Sequence, residues 1–398
     1  MDYLPLIHQQ YLKNLKSTFK RDLLNQIDWE NRMIGITGAR GVGKTTLLLQ
    51  HIFQTFGYSS EVLYLTMDHI QLSGVSLLEV ATYHTVRGGT HLFIDEIHKS
   101  DNWSSELKTI YDLYPDLKII FTSSSILEIY KGQADLSRRV ILYDMNGLSF
   151  REFLQIEAGN NLNSYTLNDI IEHHQEIVHN ILNTDIKPLK YFKNYLNYGY
   201  YPFYLENLSS YPIKLLNIIN LSLEVDLVSI KKVDPVSVPK LKKLISILAS
   251  SVPFQPNISK LAGSIEITRN TLLLYLQYLS QAKILTLLQD NGSSYSYIAK
   301  PDKVLLHNTN LISCLQPNSA NLGSIRETFF VNAVSALYQI NTSHQGDFIV
   351  EDKYKFEVGG ASKTNKQVAG LEDGYLAIDD VEIGSKNKIP LWLFGFLS

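Results

Sequence analysis

The sequence predicts an α/β protein: a parallel sheet with helices on both faces in its N-terminal third, followed by helical and smaller α/β modules. Three observations carry this expectation. Short apolar runs suited to buried strands alternate with helical runs up to about residue 145. The first of these runs leads into a glycine-rich turn that opens a helix, and a later one ends in two adjacent carboxylates. At 398 residues the chain exceeds one ordinary core, and about two to three domains are expected.

Taken in order, apolar residues at helical spacing (Leu4, Ile7, Tyr11, Leu15, Phe19, Leu23, Ile27) predict one amphipathic helix up to Ile27. Met33-Ile34-Gly35-Ile36-Thr37 then reads as a strand. It runs into Gly38-Ala39-Arg40-Gly41-Val42-Gly43-Lys44-Thr45, and Thr46 begins a helical stretch to Phe53. This is GxxxxGK[ST] in the strand-loop-helix context of a phosphate-binding P-loop. The glycines let backbone amides turn inward around phosphates, and the helix N-terminus adds partial positive charge. Lys44 would reach the terminal phosphates, and Thr45 offers a hydroxyl to Mg2+. Residues Gly38 to Thr46 are thus the expected cradle for ATP or ADP.

Glu61 to Leu65 is the expected second strand, and His91-Leu92-Phe93-Ile94-Asp95-Glu96 the third. Its terminal acids fit a Walker B element, in which Asp95 holds magnesium through its water shell and Glu96 orients and polarises the attacking water. Leu117 to Phe121 is a further strand ending in Thr122-Ser123-Ser124-Ser125. A hydroxyl at that tip can sense the γ-phosphate, with Ser123 or Ser124 the candidates; the alternative is a plain N-cap for the next helix. Asp135-Leu136-Ser137-Arg138-Arg139 precedes a fifth strand, Val140 to Tyr143. An arginine here either completes a neighbour's active site in an oligomer or is simply solvated.

Composition narrows the classes. No run of about 18 uncharged apolar residues offers a membrane span, and the N-terminus lacks a basic region followed by an apolar one, so a cytoplasmic location is expected. The single cysteine, Cys314, excludes an internal disulfide and a multi-cysteine zinc site. The formal net charge is −3, so nucleic acid would require a local basic face. His84, His91 and His98 are spaced by seven across a Gly-Gly turn and a strand, and cannot share one helix face. Tyrosines, 24 in all, concentrate between 191 and 206, where aromatic packing is expected.

From Leu148 to about Pro235 the pattern is helical, and Lys231 to Pro239 reads as a linker. Helices beginning near Lys240, Ile258 and Thr268 precede a predicted hairpin of 284–288 with 295–298 around Asn291-Gly292. Three helices and a hairpin form a winged helix, and Thr268, Arg269 and Asn270 open its would-be recognition helix, where they suit DNA contact. The strongly apolar face of that helix (Leu272, Leu273, Leu274, Leu276, Leu279) equally suits packing within the protein or on a protein partner. Further on, Glu327 lies in a helix, Asp347 opens a strand and Glu357 sits in the next. They follow the order of carboxylates in the PD-(D/E)XK nuclease fold, in which two acids grip magnesium and a lysine stabilises the attacked phosphate. The lysine expected two residues after Glu357 is Gly359. Lys363 or Lys366 could reach back over a Gly359-Gly360 turn; otherwise the fold survives as a scaffold. Tyr375 to Asp379 and Leu391 to Phe396 read as closing strands.

The segments GITGARGVGKTTLLLQ, LFIDEIHK, FTSSS, LSRRV, GLSFREFL and KIPLWLFGFLS together resemble prokaryotic AAA+ ATPases of the archaeal-ATPase, STAND-like branch that carry a C-terminal domain of unknown function. The resemblance spans nearly the whole chain. It implies an ATPase core over 1–147, a helical lid over 148–235, a winged helix over 236–312 and a nuclease-like domain over 313–398. It carries an arginine-finger role onto Arg139. Members usually have glycine where Ser123 and Arg138 stand here. The leading expectation is an ATP-driven molecular switch using Lys44, Thr45, Asp95 and Glu96, with DNA or a protein as partner and a homo-oligomer as a candidate assembly. An ATP-gated nuclease and a STAND-type regulator with negligible turnover are the alternatives.

Overall fold

The computed structural model describes residues 1–16, 19–124, 136, 138–228, 233–250, 257–290, 300–317, 319–364, 368 and 370–398. The chain divides into two compact units, Met1–Gly147 and Leu148–Ser398.

The first unit is built on five parallel strands: β1 (Met33–Thr37), β2 (Val62–Thr66), β3 (His91–Asp95), β4 (Lys118–Ser123) and β5 (Ile141–Asp144), in the order β2-β3-β4-β1-β5. Every residue of β1 and β2 is buried, as the near-continuous apolar strands of a helix-flanked parallel sheet require. Parallel strands deliver their C-terminal ends to one edge. The turn after β1 and the acids after β3 therefore emerge there on either side of β4.

The single N-terminal helix expected up to Ile27 is instead two, α1 (Leu4–Lys13) and α2 (Leu23–Gln26). The chain between them turns Arg21 inward, where its guanidinium donates to the carbonyls of Val42 (2.8 Å), Asn146 (2.8 Å) and Gly147 (2.9 Å). A continuous helix would carry that side chain elsewhere. Along α1, Leu4, His8 and Leu12 are buried one turn apart. The Tyr64 N–H on edge strand β2 donates to His8 Nδ1 at 3.0 Å, so a side chain covers one of the edge's open donors. Further helices among the described residues of this unit are α3 (Lys44–Phe56), α4 (Leu77–Thr85) and α5 (Trp103–Leu113).

The second unit begins with α6 (Phe150–Ala158) and α7 (Leu167–Leu182), each started by a capping box, Ser149 with Glu152 and Thr166 with Asp169. α8 (Pro188–Asn194) and α9 (Tyr211–Leu221) frame the tyrosine-rich stretch. Tyr195, Tyr200, Tyr201, Tyr204 and Tyr211 are all buried. Three of them bond to Asn310, itself fully buried, which accepts from Tyr200 N (2.9 Å) and the Tyr211 hydroxyl (2.5 Å) and donates to Tyr195 O (2.9 Å) and Leu196 O (3.0 Å). All four hydrogen-bonding positions of that amide are filled, so the stretch is core and not a stacking surface.

Next come α10 (Val238–Ser250), α11 (Ile258–Ser264) and α12 (Arg269–Gln281). The predicted linker is largely ordered: Pro235–Ser237 forms a 3-10 turn and Pro239 stands in the first turn of α10, where its missing N–H costs nothing. β6 (Leu285–Leu288) pairs antiparallel with β7 (Lys303–Leu306), so the hairpin partner is 303–306. The expected partner, 295–298, lies outside the described residues.

After α13 (Thr309–Leu315) and α14 (Leu322–Ser335) comes a mixed sheet in the order β12-β11-β10-β9-β8. Its strands are β8 (Ile340–Thr342), β9 (Phe348–Val350), β10 (Tyr354–Gly359), β11 (Gly374–Ile378) and β12 (Lys388–Pro390). β8, β9 and β10 are antiparallel neighbours, whereas β10, β11 and β12 run parallel. Phe330 of α14 seals the helix to the sheet against Phe348, Phe356 and Phe394. Leu391–Phe396 is a 3-10 helix with all six residues buried, not the expected strand. The run has no polar alternation to define a solvent face, and Pro390 at φ −58° starts the turn.

Candidate functional site

The turn after β1 needs backbone that only glycine adopts readily: Gly41 has φ +82° and Gly43, capping α3, has φ +101°. This conformation brings Lys44 back over the loop, where its ammonium donates to Gly38 O (2.9 Å) and Ala39 O (3.0 Å). Lys44 is buried and pairs with no carboxylate among the described residues. Burial pulls its pKa down, opposed by the charges of Glu96 and Asp95. A desolvated cation resting on carbonyls alone fits a polyphosphate.

Across β4, Asp95 ends β3 at 2% exposure. Its carboxylate accepts from Thr45 Oγ1 (2.6 Å), from the Tyr64 hydroxyl (3.0 Å) and from Thr122 Oγ1. Burial pushes the Asp95 pKa up, and the Thr122 and Thr45 hydroxyls pull it back. Burial and the same carboxylate raise the Tyr64 phenol. Thr122 works in both directions, since its hydroxyl also accepts from the backbone N–H of Glu96 at 3.0 Å. Glu96 takes left-handed backbone, φ +52° and ψ +45°, an uncommon conformation for a residue with a Cβ. Its side chain accepts from Ser124 Oγ at 2.7 Å and lies 3.4 Å from His98 Nδ1. Ser123 Oγ faces the same ring nitrogen at 3.2 Å.

The structure thus brings Lys44, Thr45, Asp95, Glu96 and Ser124 to one edge of the sheet, with Ser123 one step behind through His98. No group of three His, Cys, Asp or Glu side chains able to hold a metal ion occurs among the described residues. Magnesium here would rest on the Thr45 hydroxyl, the Asp95 carboxylate, water and phosphate oxygens, a set that suits it.

Arg139 is not brought there. It precedes β5 at the opposite edge of the sheet, separated from the phosphate edge by the strand's length, about 10 Å at ~3.3 Å per residue. Its guanidinium pairs with Asp112 (3.1 Å) beside the Tyr111 ring of α5. Among the described residues its hydrogen bonds and ion pair go to Asp112 and none goes to the P-loop.

Thr122, Tyr64 and Arg21 escaped the reading of the sequence, which considered His98 only as one of three histidines spaced by seven. Thr122 had a partial signal, since it opens the run of hydroxyls Thr122-Ser123-Ser124-Ser125 at the strand tip. Tyr64 and Arg21 had none, being remote in sequence from what they touch.

In the second unit, α12 is exposed only at Thr268, Arg269 and Asn270; from Thr271 to Gln281 no residue is exposed. The residues expected to open the recognition helix are thus exposed, while the rest of the helix is partly or fully covered within the unit. Of the nuclease-like set, Glu357 is 1% exposed and ion-paired with Lys363 Nζ. Gly359 permits this: a Cβ there would lie 2.7 Å from Lys363 Cδ and 3.0 Å from its Cγ. Asp347 Oδ2 accepts from Val358 N at 2.9 Å. Glu327 pairs at 2.7 Å with Lys303, a buried lysine on β7 that the sequence did not single out. Burial raises the Glu327 and Glu357 pKa values, opposed by their lysines. Lys366 lies outside the described residues.

Comparison with known proteins agrees with the first unit's architecture. Residues 30–154 match the model of an AAA domain family, and residues 189–323 match a domain of unknown function, DUF8612. The uncharacterized protein MJ1637 of Methanocaldococcus jannaschii is 26% identical over 432 residues, covering 97% of this chain and 88% of that protein. Among solved structures, the Walker-type ATPase PABY2304 of Pyrococcus abyssi aligns with a TM-score of 0.43 at 12% identity, over 77% of this chain and 99% of its own. AMPPCP-bound DnaA from Aquifex aeolicus aligns with a TM-score of 0.29 at 16% identity, over 68% and 93%. The first unit has the fold of a P-loop ATPase, and the AAA domain match spans residues 30–154. No helix among the described residues is long and apolar enough to cross a membrane.

Proposed function

We propose that this chain is a Mg2+-dependent, ATP-hydrolysing AAA+ switch whose C-terminal unit holds a partner, with DNA the candidate. The observation that carries the reading is the buried Lys44 ammonium, hydrogen-bonded among the described residues to two loop carbonyls, beside a Thr45–Asp95 pair and a braced Glu96. Lys44 takes the β- and γ-phosphates, and the loop amides from Gly38 to Thr46 line the phosphate chain. Magnesium supplies charge neutralisation on the phosphate oxygens when bound at Thr45 and Asp95. Glu96 orients the water whose oxygen bonds to the γ-phosphorus as the bond to the bridging oxygen breaks. The electron pair leaves with ADP, and the water proton passes to Glu96 or to the departing phosphate. Ser124 sets the position of the Glu96 carboxylate, and in an oligomer Arg139 acts on a neighbouring copy.

Cleavage of nucleic acid is not favoured, because each acid of the nuclease-like set is already engaged, Glu327 and Glu357 by lysines and Asp347 by a backbone N–H. The test is phosphate release from ATP by the wild type, Lys44→Ala and Glu96→Gln. Lys44→Ala is expected to lower turnover by about 10²–10³ and Glu96→Gln by about 10²–10⁴. Wild-type turnover in either variant sinks the assignment.

A further inference from the structure

Beside Ser124, a second side chain faces the Glu96 carboxylate: that of His98. Glu96 caps the 3-10 turn Ile97–Lys99, and His98 is the middle residue of that turn. The turn is held by the fully buried Ile97 and by bonds from Lys99 N to Glu96 O (3.0 Å) and from Ser100 N to Ile97 O (3.0 Å). The His98 side chain is only 5% exposed. Its Nδ1 faces two oxygens, Ser123 Oγ at 3.2 Å and Glu96 Oε2 at 3.4 Å. A bare nitrogen there would set its lone pair against that of a carboxylate oxygen, so these neighbours select the tautomer with its proton on Nδ1. The one N–H then serves both oxygens.

Three consecutive residues at the tip of β4 thereby converge on Glu96. Thr122 Oγ1 accepts from its backbone N–H (3.0 Å), Ser124 Oγ donates to its Oε2 (2.7 Å), and Ser123 reaches that same oxygen through the His98 ring. The last torsion of a glutamate is broad and roughly two-fold, so a single hydrogen bond leaves the carboxylate plane free to swing. A second contact on Oε2 restricts that swing and leaves Oε1 to face the attacking water. At 3.4 Å the His98 contact is longer than a formed hydrogen bond, and catalytic contacts commonly tighten as substrate is taken up. We infer that His98 is a positioning residue for ATP hydrolysis: with its ring held by Ser123, it sets the orientation of the Glu96 carboxylate toward the water, and it serves turnover rather than nucleotide binding. The inference rests on the ATPase reading and deepens it, because it ties the water-orienting acid to the strand tip expected to sense the γ-phosphate.

The test is a double-mutant cycle. Phosphate release from ATP is measured for the wild type, His98→Ala, His98→Asn, Glu96→Gln and His98→Ala/Glu96→Gln, with KM and the affinity for a fluorescent ATP analogue taken on the same preparations. Misplacing a catalytic group costs about ten- to a hundredfold, so His98→Ala is expected to lower kcat by that factor while KM and analogue affinity stay within about twofold. His98→Asn, whose amide nitrogen can stand near the place of Nδ1, is expected to recover most of the loss. In the Glu96→Gln background, His98→Ala is expected to cost less than about twofold more, since the acid it positions is gone. A loss that comes only from a loosened fold falls equally in both backgrounds, so the cycle decides the question even where His98→Ala is less stable. Wild-type or raised kcat in His98→Ala, a loss carried by KM, no recovery in His98→Asn, or the full loss repeated in the Glu96→Gln background overturns the inference. Lys44→Ala separates the two assignments: turnover that survives it sinks the ATPase reading, whereas turnover that needs Lys44 but not His98 sinks only the role of His98.

Discussion

Replacing Thr122 by valine keeps the shape of the side chain and removes one hydroxyl. That hydroxyl accepts from the Glu96 N–H at 3.0 Å and donates to Asp95 Oδ1, at a position with no exposure. The substitution leaves two buried groups unpaired, a backbone donor and a carboxylate oxygen, each worth about 1–3 kcal/mol. Asp95 keeps Thr45 and Tyr64 on its other oxygen, so the total should fall near the lower part of the summed range, about 2–4 kcal/mol. If that loss is expressed in the transition state, kcat falls by about thirty- to a thousandfold at 1.36 kcal/mol per decade. The assay is steady-state phosphate release across a magnesium titration, with a thermal melt of the same preparations. Thr122→Val is expected to lower kcat and raise the magnesium requirement, whereas Ser124→Ala, which frees only Glu96, is expected to lower kcat with KM and magnesium dependence unchanged. Wild-type kcat and magnesium dependence in Thr122→Val would refute the reasoning that this hydroxyl couples the two acids.

Two further outcomes follow from the second unit. Lys363→Met strands Glu357 as a buried, unpaired carboxylate and should destabilise the protein by about 3–5 kcal/mol; adding Glu357→Gln should recover much of that, and equal stability of Lys363→Met and the wild type in denaturant melts would show that the pair is idle. Burial depresses the pKa of His307 to about 3 and that of His8 to about 4, from 6.5. The unfolded chain therefore binds protons that the folded chain refuses, and stability is complete above pH 6.5 and declines as pH falls toward the folded values, by about 2 kcal/mol per histidine between pH 6.5 and 5. The raised carboxyls of Glu327 and Glu357 oppose this slope, so the readout is the difference between wild type and His307→Gln. A variant with the wild-type slope would count against the assignment.

The parallel sheet, the P-loop and the acid pair were legible because each is written in consecutive residues. A buried strand must be apolar along its length, and a phosphate turn needs glycine at particular steps, so Met33 to Thr45 and His91 to Glu96 announce themselves. The strand order placing β4 between the two motifs was not legible, and with it the part of Thr122 went unseen. Likewise, helical periodicity from Leu4 to Ile27 was genuine, but it could not show that Arg21 leaves the helix to hold three carbonyls.

At the C-terminus the sequence alone established the carboxylate order Glu327, Asp347, Glu357 and the glycine at 359. Only the tertiary structure decided what those residues do. Gly359 leaves room for Lys363 to lie across it and neutralise Glu357, and β7, from another module, delivers Lys303 to Glu327. It also decided that α12 is covered beyond its first two residues while Arg269 at its start stays exposed. The physical reason is range: backbone preference and apolar periodicity act between neighbours in the chain, whereas charge pairing and burial act between groups that only folding brings together.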